Sequence, residues 1–362
     1  MASPDRVPAD LEEDSPALPA RTPGAPATPA GRPGEHPLRR RRGFLAHARP
    51  AWVPRSAARF RYTFGLGGAA VFLFIALLVT GVPLLFHYQP GEGAYQSVSA
   101  LTYVLPYGWL FRSLHFWAAQ LLVVVTVLHL LRVTLTAAYR YPRRFNWLIG
   151  LGLLALVVVL DYTGYLLRGD LEGLDAASVG RAILQSVPLV GQGLAALVFS
   201  SGGAAALLAL SAWHNLLLPV FGFVLIGWHL WRVRRDGGIS RSFGDDGTHI
   251  PLSALAAREW VAGLTLANAL LLLSLVLPPA LGLPPDQVPP GVVRAPWVFG
   301  AVQVLLRHWS PLTAGVLAPV FTLLSLGSAP YLAESRPALG RALVTFLFVL
   351  IAALTLYFWW RG

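Results

Sequence analysis

Cysteine is missing from all 362 residues. Its absence excludes disulfides, thiolate-held iron–sulfur clusters, Cys-ligated zinc and the C-x-x-C-H attachment of c-type haem. Any cofactor must be held by other ligands. Charge is also scarce: 12% of the residues are charged, where a soluble domain carries about 25%. That shortage excludes an ordinary cytosolic enzyme. What fills the chain instead is apolar, 55% of residues with a mean hydropathy of +0.59. The net charge of +11 comes from arginine-rich segments between apolar stretches. Such clustering reflects membrane topology, and nucleic acid is not expected as a partner.

The apolar residues fall into seven stretches near 62–86, 110–133, 147–167, 204–231, 260–281, 310–333 and 341–360. Each has about the 20 residues that a helix needs to cross a hydrocarbon core about 30 Å thick. The expected fold is an all-α membrane protein of seven transmembrane helices. Residues 1–58 are rich in Pro, Ala and Arg and include the run Arg39-Arg40-Arg41-Arg42, so they read as a disordered cytoplasmic tail. No cleavable signal is evident, because Gly43-Phe44-Leu45-Ala46-His47 gives way at once to charged and Pro-containing sequence.

Arginine counts set the orientation. Arg55, Arg59 and Arg61 precede the first span, Arg132, Arg140, Arg143 and Arg144 follow the second, and Arg232, Arg234, Arg235, Arg241 and Arg258 separate the fourth and fifth. Alternate loops carry far fewer, so the N-terminus is expected inside and the C-terminus outside, in a bacterial inner membrane. The loops at 169–203 and 282–309 then face outward. Being long, they are candidates for function.

Histidines stand inside the apolar stretches: His115 and His129 in the second, His214 and His229 in the fourth. Ionisable side chains at membrane depth are costly and need partners. Spacings of fourteen and fifteen residues place each pair within about 60° of one helix face and about 21 to 22 Å apart along it. If the two helices face one another, His115 meets His214 in the outer leaflet and His129 meets His229 in the inner one. Neutral imidazole suits haem iron, and no carboxylate stands beside these histidines in a spacing that suggests zinc or a di-iron centre. Gly67 and Gly81 on the first span, and Gly150 and Gly164 on the third, repeat the fourteen-residue spacing. Glycine permits close approach of a flat ligand or a backbone. Arg112 and Arg132 lie three residues from His115 and His129, near enough for haem propionates.

With these residues in view, the sequence resembles the cytochrome b subunit of quinol-oxidising cytochrome bc complexes, more closely the photosynthetic, plastoquinol type than the mitochondrial one. The matching segments are TGVPLLFHYQP, YGWLFRSLHFW, VLHLLRV, RRFNWLIG, TGYLL, SVPLVG, HNLLLP and the run ending RRDGGIS. Pro219, five residues after His214, also looks like the photosynthetic type. Residues 59–240 resemble its four-helix di-haem domain, and 241–362, more weakly, its three-helix C-terminal part, here fused in one chain.

The resemblance implies two non-covalent b haems. His115 and His214 match ligands of the outer haem, and His129 and His229 those of the inner. Gly67, Gly81, Gly150 and Gly164 match glycines that make room for the haems, and Arg112 and Arg132 match propionate partners. A further haem, held in the photosynthetic type by a cysteine, is not implied, because Gly65 stands there. The implied function is transmembrane electron transfer in a quinol:cytochrome c-type oxidoreductase. Its implied partners are the quinone pool, a Rieske-type iron–sulfur protein, c-type cytochrome subunits, membrane lipid and a second copy of the chain.

Departures concentrate at the outer quinol site. The family's Leu-Pro-Trp stretch becomes Leu167-Arg168-Gly169, and its Pro-Glu-Trp-Tyr motif becomes Ala295-Pro296-Trp297-Val298. Asp170 is the expected substitute proton acceptor, with Glu172 as a neighbour. The alternative expectation is a di-haem conduit between a partner cytochrome and the quinone pool, without bifurcating quinol oxidation.

Overall fold

The computed structural model describes residues 52–56, 58–59, 63–240, 246–288 and 291–361. Most of the N-terminal segment, with Arg39 to Arg42, lies outside the described residues. Seven helices are long and apolar enough to span a membrane. They are α1 (Leu66–His87), α3 (Gly108–Leu135), α4 (Arg144–Leu166), α7 (Gly203–Arg235), α8 (Leu252–Val276), α10 (Thr313–Ser335) and α11 (Pro337–Arg361). Shorter helices α2 (Ala94–Tyr103), α5 (Leu171–Gln185), α6 (Gly191–Phe199) and α9 (Gly300–Leu306) lie between them. The stretch expected as a loop at 169–203 is therefore two helices, α5 and α6.

The fifth span differs most from its sequence-based limits, beginning at Leu252 and not near 260. Hydropathy alone discounts Arg258 and Glu259, but the structure gives Arg258 a partner, its Nη1 donating to the carbonyl of Ala58 at 2.9 Å. The span ends by Leu277 because Pro278 and Pro279 follow, and proline cannot extend the hydrogen-bond ladder.

Strand β1 (Trp52–Pro54) pairs antiparallel with β2 (His249–Pro251), Val53 opposite Ile250. Residues 52–54, within the expected tail, thus pair with a segment almost 200 positions away in sequence. Four spans separate the two strands, so both lie on one membrane face, as the arginine count requires.

The described residues form one compact unit, with no break at 240. Particular bonds join its two parts. Trp147 Nε1 donates to the carbonyl of Leu326 at 2.8 Å, linking α4 to α10. Ser113 Oγ donates to Ser274 and Trp117 Nε1 to Leu277, linking α3 to the end of α8. Indole and hydroxyl donors in an apolar bundle must find acceptors, and these find the Leu326 carbonyl, which Pro330 four residues on leaves without its helical donor, and two carbonyls at the end of α8.

Two spans contain a widened π-helical turn, Trp213–Leu217 in α7 and Thr313–Leu317 in α10. Each stands just before a proline, Pro219 or Pro319. A proline ring clashes with the carbonyl four residues earlier, and the widened turn relieves that clash without breaking the span. In α7 the turn also sets the direction of His214.

Candidate functional site

His115 of α3 and His214 of α7 face each other, ring centroids 6.4 Å apart. Each imidazole is oriented by a threonine. Thr80 Oγ1 lies 3.0 Å from His115 Nδ1 and also 2.8 Å from the carbonyl of Ala76, to which it donates. Thr163 Oγ1 repeats the arrangement, 3.0 Å from His214 Nδ1 and 2.9 Å from the carbonyl of Val159. A hydroxyl has one proton, so with that proton on the carbonyl the oxygen accepts from Nδ1–H. This fixes the tautomer in which Nε2 is unprotonated and free to bind a metal.

His129 and His229 form the second level, within electrostatic reach of each other. Leu66 and Ile149, which stand where Thr80 and Thr163 stand in the first level, offer no hydroxyl. Neither Nδ1 has a well-aligned hydrogen-bond partner.

Every expected glycine abuts one particular histidine. A Cβ at Gly81 would stand 3.3 Å from His115 Cε1, and one at Gly164 2.8 Å from His214 Cε1. At Gly67 and Gly150 the corresponding distances to His129 and His229 are 3.5 Å. Helix α1 thus seats both histidines of α3, and α4 both histidines of α7. The glycine contact seen here is with the imidazole edge. A methyl group at Gly164 forces the ring to move, since real Cβ contacts are not that close. Gly164→Ala is expected to alter the spectrum of the His115/His214 cofactor and leave the other unchanged, which absorption and paramagnetic resonance of the purified protein would show.

These sites fit haem. Among the described residues, no group of three or more His, Asp or Glu side chains could hold a bare metal ion. Two histidines are too few for a closed tetrahedral site, but they suit an iron whose remaining ligands come with it. The 6.4 Å between the ring centroids would leave room for one such iron between the two imidazoles.

Two expected site residues are used otherwise. Arg112 turns to the segment after α8, with Nη1 donating to the carbonyl of Pro279 at 2.7 Å and Nη2 to Ala280 at 3.0 Å. Two of its nitrogens thus brace that segment. Arg132 lies one turn beyond His129, at the end of α3.

Asp170, expected as a proton acceptor, is fully buried and caps α5. Its Oδ1 accepts from Gly173 N at 2.9 Å and its Oδ2 from Gly282 N at 3.1 Å, with Arg168 at 3.0 Å. Buried and held by two amides and a guanidinium, this carboxylate braces the junction of α4, α5 and the segment after α8. Burial pushes its carboxyl above the usual carboxylate range, while Arg168 and the two amides pull it back down. Glu172 lies 3.9 Å from Arg168, which stacks on Tyr165.

Sequence reasoning missed three residues. Thr80 and Thr163 each directly precede a critical glycine, and the repeated Thr-Gly pair was the available signal. Asp161 was the third, a carboxylate inside an apolar run, where its cost alone marks it. Its Oδ1 accepts from Gln120 Nε2 at 3.0 Å, and Gln120 Oε1 accepts from Trp297 Nε1 at 2.6 Å.

Comparison with known proteins agrees with this geometry. Residues 120–285 match the family model described as cytochrome b(N-terminal)/b6/petB. The chain is 34% identical over 175 residues to cytochrome b6 of Prochlorothrix hollandica, covering 48% of this chain and 79% of that one. It is 33% identical over 195 residues to the menaquinol:cytochrome c reductase cytochrome b subunit of Geobacillus thermodenitrificans, covering 53% and 85%. In fold it is similar to a chain of a hyperthermophilic respiratory complex III, with a TM-score of 0.68 at 20% identity, covering 87% of this chain and 93% of that one.

Proposed function

The chain belongs to the cytochrome b family, and on that premise we propose that His115, His214, His129 and His229 are the axial ligands of its two b haems. Members of this family carry electrons across the membrane through two such haems and exchange them with quinone or quinol. The observation that carries the ligand assignment is the His115/His214 pair: facing rings 6.4 Å apart, each with Nδ1 bonded to a threonine. Bound haem iron supplies one-electron chemistry by cycling between its ferric and ferrous states.

The protein's own groups do the rest. Thr80 and Thr163 hold the imidazoles in the ligating tautomer, and glycines let them lie against α1 and α4. The apolar bundle keeps water from the electron path. The arginine count supports a bacterial inner membrane with the His115/His214 level outward. Quinol is then oxidised on the outer side and quinone reduced on the inner. The partners of this reading are a Rieske-type iron–sulfur protein and a c-type cytochrome, within a complex that holds two copies of this chain.

A second reading, the di-haem conduit, is favoured by one feature: Pro296 and Val298 replace the glutamate and tyrosine of the family's outer motif. Inhibition of quinol-driven reduction by outer-site quinol analogues separates the two readings. For both, pyridine haemochrome against protein concentration is expected to give two haems b per chain. A ratio near zero overturns the ligand assignment, and a ratio near one removes one pair.

A further inference from the structure

Asp161 lies in the third span with no cation paired to it among the described residues. A carboxylate at membrane depth without a counter-charge is costly to keep, and such residues mark proton or substrate pathways. Its polar company is specific. Gln120 Nε2 donates to Oδ1, and the amide is held in that orientation because its oxygen accepts from the Trp297 indole. Oδ2 accepts no hydrogen bond among the described residues, and the side chain is only partly buried. One carboxylate oxygen is therefore held and the other is open.

The position of the pair matters as much as its bonds. Gln120 follows His115 by five residues and precedes His129 by nine. At about 100° per residue it is turned about 140° from the first and about 180° from the second. It thus lies on the side of α3 away from both haem-binding histidines, and the Gln120–Asp161 bond crosses from there to α4. The segment 282–309 inserts at this place. Trp297 and Val298 pack against a buried cluster that includes Ala118 and Leu122 of α3, Val157 of α4 and Leu270 of α8. Phe299 stacks edge-on against Tyr162, centroids 5.3 Å apart. Gln120 and Asp161 thus form a polar pair among apolar side chains where α3, α4 and the inserted segment meet. That combination suits the ring and hydroxyl of a lipophilic quinol.

We propose that Asp161, positioned by Gln120 and Trp297, is the base that takes a proton from quinol where α3, α4 and the inserted segment meet. The proposal rests on the quinol-oxidising reading above. Oxidation of a quinol to a quinone releases two protons and two electrons. One hydroxyl proton passes to Asp161 Oδ2, turning the carboxylate into a neutral acid. One electron leaves to a one-electron acceptor protein on the outer side, and the other enters the haem path of this chain. The second proton goes to outer solvent, and Asp161 later releases its own proton there. Asp170, by contrast, is fully buried and held by Arg168 and two backbone amides.

The test is quinol-driven haem reduction in the purified complex with the inner site inhibited, together with infrared difference spectra on quinol addition. A positioned base contributes about 10² to 10⁴ in rate. Asp161→Asn is therefore expected to slow reduction at least tenfold, with haem spectra and potentials unchanged. The same variant loses a carboxyl C=O band that the unmodified protein shows. Asp161→Glu restores part of the rate and shifts the band. An unchanged rate in Asp161→Asn overturns this assignment while quinol oxidation stands. Absence of quinol-driven outer reduction in the unmodified complex overturns the quinol-oxidising reading and the proposal with it. Should Asp161→Asn not accumulate, Gln120→Leu keeps the carboxylate but frees it. That variant must slow reduction and move the band, and no change in either overturns the proposal.

Discussion

Alanine at His115 and alanine at His214 are each expected to remove one and the same b-type component from a redox titration, leaving the other at its original potential. His129→Ala and His229→Ala are expected to remove the remaining component. The effect is all or none, because a haem needs both axial imidazoles and each is supplied by a different helix. The pairing follows from the facing rings of His115 and His214 and from the second pair lying about four helical turns further along both helices. Loss of different components on replacing His115 and His214 would break it. The two levels also differ in support, since threonine hydroxyls orient only the first pair.

The second large effect concerns stability. Asp170→Ala is expected to cost about 3–5 kcal/mol, the range for removing one partner of a buried ion pair. It leaves the Arg168 guanidinium, the Gly173 amide and the Gly282 amide without their acceptor. Those three contacts join the end of α4, the start of α5 and the segment after α8, so one side chain secures the whole outer end. Asp170→Asn keeps the helix cap, for which asparagine serves about as well as aspartate, and loses the charge and the acceptor that Gly282 N and Arg168 share. It is expected to fall well short of the alanine cost and to leave quinol-driven haem reduction unchanged. Thermal unfolding of detergent-solubilised protein measures the first effect and reduction kinetics the second. A strong kinetic defect in a stable Asp170→Asn variant would return Asp170 to the role of proton acceptor.

What the sequence determined by itself was everything that follows from spacing along one helix. Seven apolar runs set the spans, arginine between them set which loops share a side, and the fourteen- and fifteen-residue intervals put His115 with His129 and His214 with His229 on common faces. Gly67, Gly81, Gly150 and Gly164 were legible for the same reason. A period of 3.6 residues reports which side chains share a face, and membrane insertion depends on local hydrophobicity. The tertiary structure decided what each polar side chain meets. Asp170 caps its own helix, but its second oxygen is met by the amide of Gly282, 112 positions away. Arg112 was drawn to the carbonyls of Pro279 and Ala280, and residues 52–54 were ordered by β2. Asp161 acquired its setting from Gln120 on α3 and from Trp297 on an inserted segment. Buried polar groups must be satisfied wherever a donor or acceptor comes within reach, and in this bundle those partners lie on other elements, brought together only by packing.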